Sequence, residues 1–114
     1  METAWEGTAY LPVSGVPYQK PYLLPSRTQN PTLGDGFFRE IGLFQISLGY
    51  PDGEGTGGIE TKAAALCKQF ARGHVFIDAN VTVRIDESPF VSRVDTGNGW
   101  LLLAVSVPYC ADIF

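Results

Sequence analysis

Residues 100–109, Trp-Leu-Leu-Leu-Ala-Val-Ser-Val-Pro-Tyr, place Leu101, Leu103, Val105, Val107 and Tyr109 on one side of an extended chain. A period of two is the period of a strand. Trp100, Leu102 and Ala104 make the other side apolar as well. A strand that is apolar on both sides needs cover on both faces, so the segment predicts a central strand of a sheet. Directly before it, Thr96-Gly97-Asn98-Gly99 separates it from the strand-like run 90–95. Asn-Gly between two such runs predicts a tight hairpin, because both residues enter the left-handed region at low cost.

The other elements fit around that strand. Phe44, Ile46, Leu48 and Tyr50 share one face of a second strand, with Gln45, Ser47 and Gly49 on the other. Upstream the phase slips, since Phe37, Ile41 and Leu43 fall on the opposite face. A β-bulge near Gly42 is the expected reconciliation, because one extra residue flips the pleat. Ile59, Ala63, Leu66, Cys67 and Phe70 form a single helical stripe, with Glu60 in the first turn and Lys68 and Arg72 towards the end. These charges complement the helix dipole, and Gly73 is the expected left-handed C-terminal cap. Val75 to Ile77 reads as a brief apolar segment, and Val81, Val83 and Ile85 alternate with polar residues as a strand with one wet face. Pro12, Pro17, Pro21, Pro25 and Pro31 restrict the first third to an arm with a short edge strand at 18–24 and a polar loop at 26–36. The predicted fold class is α+β: one 114-residue domain in two layers, with a Pro-rich arm (1–36) and a core (37–114). In that core one main helix crosses a mixed, mostly antiparallel sheet of about four to five strands.

Composition narrows the function. A 45% hydrophobic content with 12% aromatics is that of a chain with a packed core. The net charge is −4 and the eight Lys and Arg residues are scattered singly, so no clustered basic face is available for a phosphate backbone. Direct nucleic-acid binding is therefore not expected. No apolar run approaches a membrane span, and the N-terminus lacks a signal-peptide core, so the sequence reads as cytosolic, with no membrane partner. Cys67 and Cys110 form no metal-ligand pattern, and Cys67 reads as a small buried hydrophobe on the helix stripe.

The loop 51–58 carries Gly53-x-Gly55-x-x-Gly58 between a strand and a helix, with Asp78 twenty residues on. Taken literally this is a dinucleotide-binding fingerprint. Asp52, Glu54 and Glu60 would meet the pyrophosphate with like charge, and no further βαβ periodicity follows, so a flexible strand-to-helix connection is the favoured reading and no cofactor is expected. The single histidine, His74, leaves little room for a catalytic triad. Asp86 and Glu87 are adjacent and would point to opposite faces of a strand, and Asp35, Asp52 and Glu54 lack calcium-loop spacing. Nothing here calls for an enzyme, a catalytic residue or a metal. Trp5, Tyr10, Tyr18, Tyr22, Phe37 and Phe38 crowd the first third, in settings suited either to a lid over the sheet or to a protein interface.

Taken in order, Trp5-Glu6, Pro17-Tyr18, Leu24-Pro25, Pro31, Gly34, Arg39-x-x-Gly42-x-Phe44-Gln45, the Pro51/Gly-rich loop, Phe70-x-Arg72-Gly73 and Trp100 through Val107-Pro108-Tyr109 resemble the lambda-type phage tail terminator family, in its small tail-terminator-like branch. The resemblance implies an α/β fold that assembles as a hexameric ring on the finished tail tube, stops tube polymerisation and offers a platform for joining the head. It implies a structural virion protein of a phage or prophage, made in the bacterial host cytoplasm. Its partners would be other copies of itself, the major tail tube protein and a head-completion or neck protein. Residues expected at subunit or tube contacts are Arg27, Asn30, Asp35, Phe37, Arg39, Asp52 and Glu54. Members of the family usually carry a helical segment before the Trp-Glu pair, whereas four residues precede Trp5 here; sheet surface that such a helix would cover is expected to be exposed. A head–tail connector and a small nucleotide-binding module using 53–58 stay open as alternatives.

Overall fold

The computed structural model describes residues 1–7, 9–29, 38–53 and 55–113. Its elements are β1 (Glu2–Thr3), β2 (Tyr18–Gln29), β3 (Phe38–Pro51), α1 (Gly57–Gln69), β4 (Val75–Asp78), β5 (Val81–Ile85), β6 (Phe90–Val91), β7 (Asp95–Gly97) and β8 (Trp100–Ile113). The strands form one sheet in the order β1-β2-β3-β8-β5-β4, and β6 and β7 also pair with β8. Only β1 and β2 run parallel; the other pairings among the described residues are antiparallel. The helix lies across β3 and β8. The α+β reading and the central place of the last strand hold, but the sheet has eight strands instead of four or five.

The spine is β3 against β8, in register from Phe38↔Ile113 to Pro51↔Trp100. Strands of 14 residues at about 3.3 Å per residue span roughly 46 Å, which accounts for the elongated shape, 55 × 28 × 21 Å. The pairing sets Phe44 against Val107, Ile46 against Val105, Leu48 against Leu103 and Tyr50 against Leu101. These residues make one apolar face, onto which α1 lays Ile59, Ala63 and Leu66. Leu48, Ile59, Val105 and Val107 are the largest fully buried side chains among the described residues, each contributing about 1.5–3 kcal/mol by burial. Cys67 and Phe70 border this core, and burial raises the pKa of the Cys67 thiol.

Four local expectations are corrected. No bulge occurs in β3, whose register with β8 is unbroken; the irregularity lies across the ladder in β2, between Pro25 and Arg27. Gly42 sits opposite it, where a Cβ would stand 2.6 Å from the Leu24 carbonyl oxygen and 2.9 Å from Pro25 Cα. The small residue that suggested a bulge therefore accommodates the bulge of its neighbour. Residues 26–29, assigned to the polar loop, extend β2, because the edge position tolerates Pro21 and Pro25 within a strand; residues 30–36 lie outside those described. The helix is capped by Phe70, whose N–H donates to Leu66 O at 3.0 Å. Gly73 is left-handed but lies beyond that cap, donating to Ile85 O and turning the chain into β4. Finally, the run 90–95 divides into β6 and β7, because the chain leaves the edge of β8 after Ser92, whose N–H still donates to Ala104 O, and returns at Asp95. The hairpin 96–99 forms as expected, with Asn98 and Gly99 both at positive φ.

Gly42→Ala is expected to cost about 1–3 kcal/mol, since both close atoms belong to the backbone and cannot swing aside. Urea denaturation measures this, and an unchanged midpoint would mean that the bulge in β2 shifts freely.

Candidate interface surfaces

On the sheet face away from the helix, the last turn of the ladder brings three ionic side chains together. Register places Arg39 of β3 opposite Asp112 of β8, and Thr82 of β5 opposite Asp112 from the other side, with Arg84 two residues along. Arg39 Nε donates to Asp112 Oδ1 at 2.7 Å, and Arg84 Nη2 lies 3.4 Å from Oδ2. The Asp112 side chain is only 13% exposed, so two cations hold a carboxylate that is largely withdrawn from water. The hydrogen bond and the charge of Asp112 raise the Arg39 pKa further. Arg84 also approaches Cys110 Sγ at 3.5 Å, while its buried Nε has no partner among the described residues. Cross-strand geometry makes this clamp, which ties β3, β8 and β5 together where the ladder leaves the helix.

On the helix face of the same region, the helix stops short and a groove of about 340 Å³ remains between its C-terminal end and β4, β5 and β8. Phe44, Phe70, Phe76, Val83, Ala111 and Ile113 line most of it. Phe70 lies between Phe44 and Phe76, with ring centroids 5.6 and 6.0 Å away. Its polar wall is the Tyr109 hydroxyl donating to Glu40 Oε1 at 2.7 Å. Burial first, and this hydrogen bond second, raise the Tyr109 pKa well above the ordinary phenol value. The surface suits an apolar protein segment.

The expected contact residues distribute unevenly. Arg39 is committed to the Asp112 clamp. Arg27 pairs through its backbone with Ile41 in the arm of the sheet. Asp52 is exposed at the other end of the molecule, its N–H donating to Gly99 O at 3.0 Å, beside Pro12, Asn98 and Trp100. Asn30, Asp35, Phe37 and Glu54 lie outside the described residues. The structure thus separates Arg39 and Asp52 to opposite ends of β3. The aromatics of the first third divide between both readings. Tyr18 packs against Tyr10 and edge-on to Trp100, with centroids 5.4 and 5.2 Å apart, whereas Trp5 is 63% exposed beside β2.

The glycine loop does not stand in a βαβ unit. The strand before α1 and the strand after it are not neighbours, and β3 runs antiparallel to both strands it pairs with. Asp78 ends β4, at the margin of the sheet. Gly53 and Gly55 serve the turn, both at positive φ, and Gly58 faces the Tyr50 ring. Sequence reasoning did not find the Asp112 clamp or the groove. An Arg at 39 and an Asp at 112 carry no local signal of partnership, since strand register brings them together.

Arg39→Glu places two carboxylates against one another and is expected to lower the urea midpoint, with Arg39→Glu/Asp112→Arg/Arg84→Glu, which reverses all three charges of the clamp, recovering most of the loss. No recovery would show that the ion pair is incidental. The raised Tyr109 pKa also gives a pH dependence. Below pH 10 the phenol is protonated in both states and its contribution is intact; as pH rises past the unfolded value of 10.0 the unfolded chain ionises first and stability falls. Tyr109→Phe should flatten that alkaline decline in thermal unfolding.

Comparison with known proteins agrees with this architecture. The family described as phage tail terminator protein matches residues 1–109. A solved structure 24% identical to the chain superposes with a TM-score of 0.80, covering 99% of this chain and 80% of that one, which shows a common fold. No curated protein matches. The chain belongs to the phage tail terminator family.

Proposed function

We propose that the protein caps the phage tail tube as a ring, the hexamer that the family resemblance implies, stopping tube polymerisation and forming the platform that the head joins. The family match over residues 1–109 carries this reading and supports a structural role in the tail. The architecture is consistent with a mechanical part. A long ladder stiffened by the Asp112 clamp extends beyond the helix-covered core, and an apolar groove is available to another chain. In this reading the major tail tube protein meets one side of the ring and a head-completion or neck protein the other. Asp52 and the arm carrying Arg27 and Arg39 contribute to contacts at opposite ends of each subunit. The turn and arm residues order the subunits, and no bond-making step is required of any side chain.

Deleting the gene and measuring tails by negative-stain electron microscopy tests the proposal. Overlong, uncapped tubes are expected. Tails of normal length that fail to join heads would place the protein among head–tail connectors instead, and normal infectious particles would overturn the reading.

A further inference from the structure

The two margins of the sheet are finished differently. On the β2 side, Ala4 N–H donates to Gln19 O at 2.8 Å and Glu6 Oε1 accepts from Leu23 N–H at 2.6 Å. Odd-numbered residues of this stretch therefore turn their backbone outward, and Pro21 and Pro25 among them have no N–H to offer. Prolines and a capping carboxylate blunt that edge against further pairing. On the β4 side, Ile85 N–H donates to His74 O, so by alternation Phe76 and Asp78 face β5 while Val75 and Ile77 turn N–H and C=O outward. Among the described residues nothing caps these groups. The side chains are exposed on both faces as well: Val75 48%, Phe76 42%, Ile77 75%. A strand apolar on both faces has the composition of an internal strand, yet it stands at the margin.

We infer that β4 is a self-complementary edge through which two copies of this chain pair antiparallel about a twofold axis. Centred on Phe76, such pairing sets Val75 opposite Ile77 of the second copy and Ile77 opposite its Val75. The outward N–H and C=O groups at these positions then exchange four hydrogen bonds. The same register sets His74 opposite Asp78 at both ends, a basic group against an acidic one. The segment His74-Val75-Phe76-Ile77-Asp78 thus reads as a physical palindrome, with an apolar centre and complementary ends. An interface in which each position meets its mate is what a twofold requires. Phe76 also lines the apolar groove, so its mate continues that surface across the junction. The patch is small, which puts the pairing among transient, concentration-dependent associations. The inference rests on the edge and is independent of the capping role.

Light scattering coupled to size exclusion, over a concentration series of the full chain, tests it. The expected mass rises from one chain towards two. Ile77→Lys, at an exposed position, is expected to weaken the dimer at least about tenfold, and Asp78→Lys likewise by setting Lys against His74. His74→Glu/Asp78→Lys should restore pairing, because it reverses both ends together. Circular dichroism confirms folding of each variant; if Ile77→Lys fails to fold, the Asp78→Lys and double variants decide. A wild-type chain that stays monomeric throughout, a dimer or larger assembly indifferent to these changes, or a double variant no better than Asp78→Lys would each overturn the inference.

Discussion

The continuous pairing of β3 with β8 is the constraint on which the rest depends. Fourteen residues of each strand stay in register, so Phe44, Ile46, Leu48 and Tyr50 on the helix side of β3 each meet an apolar residue of β8. A slip of one position would turn Phe44, Ile46, Leu48 and Tyr50 to the face where Arg39 and Asp112 meet. That would unmake the core and leave charges beneath the helix. Register is therefore enforced by the hydrophobic pattern at one end and by the Arg39–Asp112–Arg84 clamp at the other. The bulge in β2 opposite Gly42 lets the outer strand follow the ladder without disturbing it.

The ladder is longer than the helix that covers it. α1 shields the sheet where Leu101 to Val107 meet β3, and beyond its C-terminal cap the strands continue with a groove on one face and the ionic clamp on the other. In the proposed role this division has a use. The covered half supplies stability, and the uncovered half supplies rigid surface whose shape does not depend on loops. The glycine-rich connection between β3 and α1 is a geometric device in this scheme, since the strands on either side of the helix are not parallel neighbours.

The finishing of the sheet edges is equally selective. Pro21, Pro25 and Glu6 disable one margin, whereas β4 keeps its outward backbone groups and apolar side chains. Edge strands that are left open invite pairing, and proteins that need no such pairing usually remove the opportunity. The contrast within one sheet is what makes β4 conspicuous.

The sequence by itself determined the elements whose signals are local. The period-two faces of β3, β5 and β8, the stripe Ile59–Ala63–Leu66 and the Asn98-Gly99 turn were all legible, because each depends on neighbours within a few residues. Tail terminator membership was legible as well, from the order of motifs along nearly the whole chain. Other features were settled only by the tertiary structure. The β4–β5 hairpin has Ala79 at positive φ in place of a glycine signature, so Val75 to Asp78 did not declare itself as a paired edge. Pro25 marked a chain break in the sequence but proved to be a bulge site, because strand pairing with β3 supplies hydrogen bonds that local propensity cannot foresee. Arg39 looked free for a partner until register placed Asp112 beside it. Period and turn chemistry are properties of adjacent residues; which side chains meet across a sheet, and which edge is left open, are fixed by contacts between residues far apart in the chain.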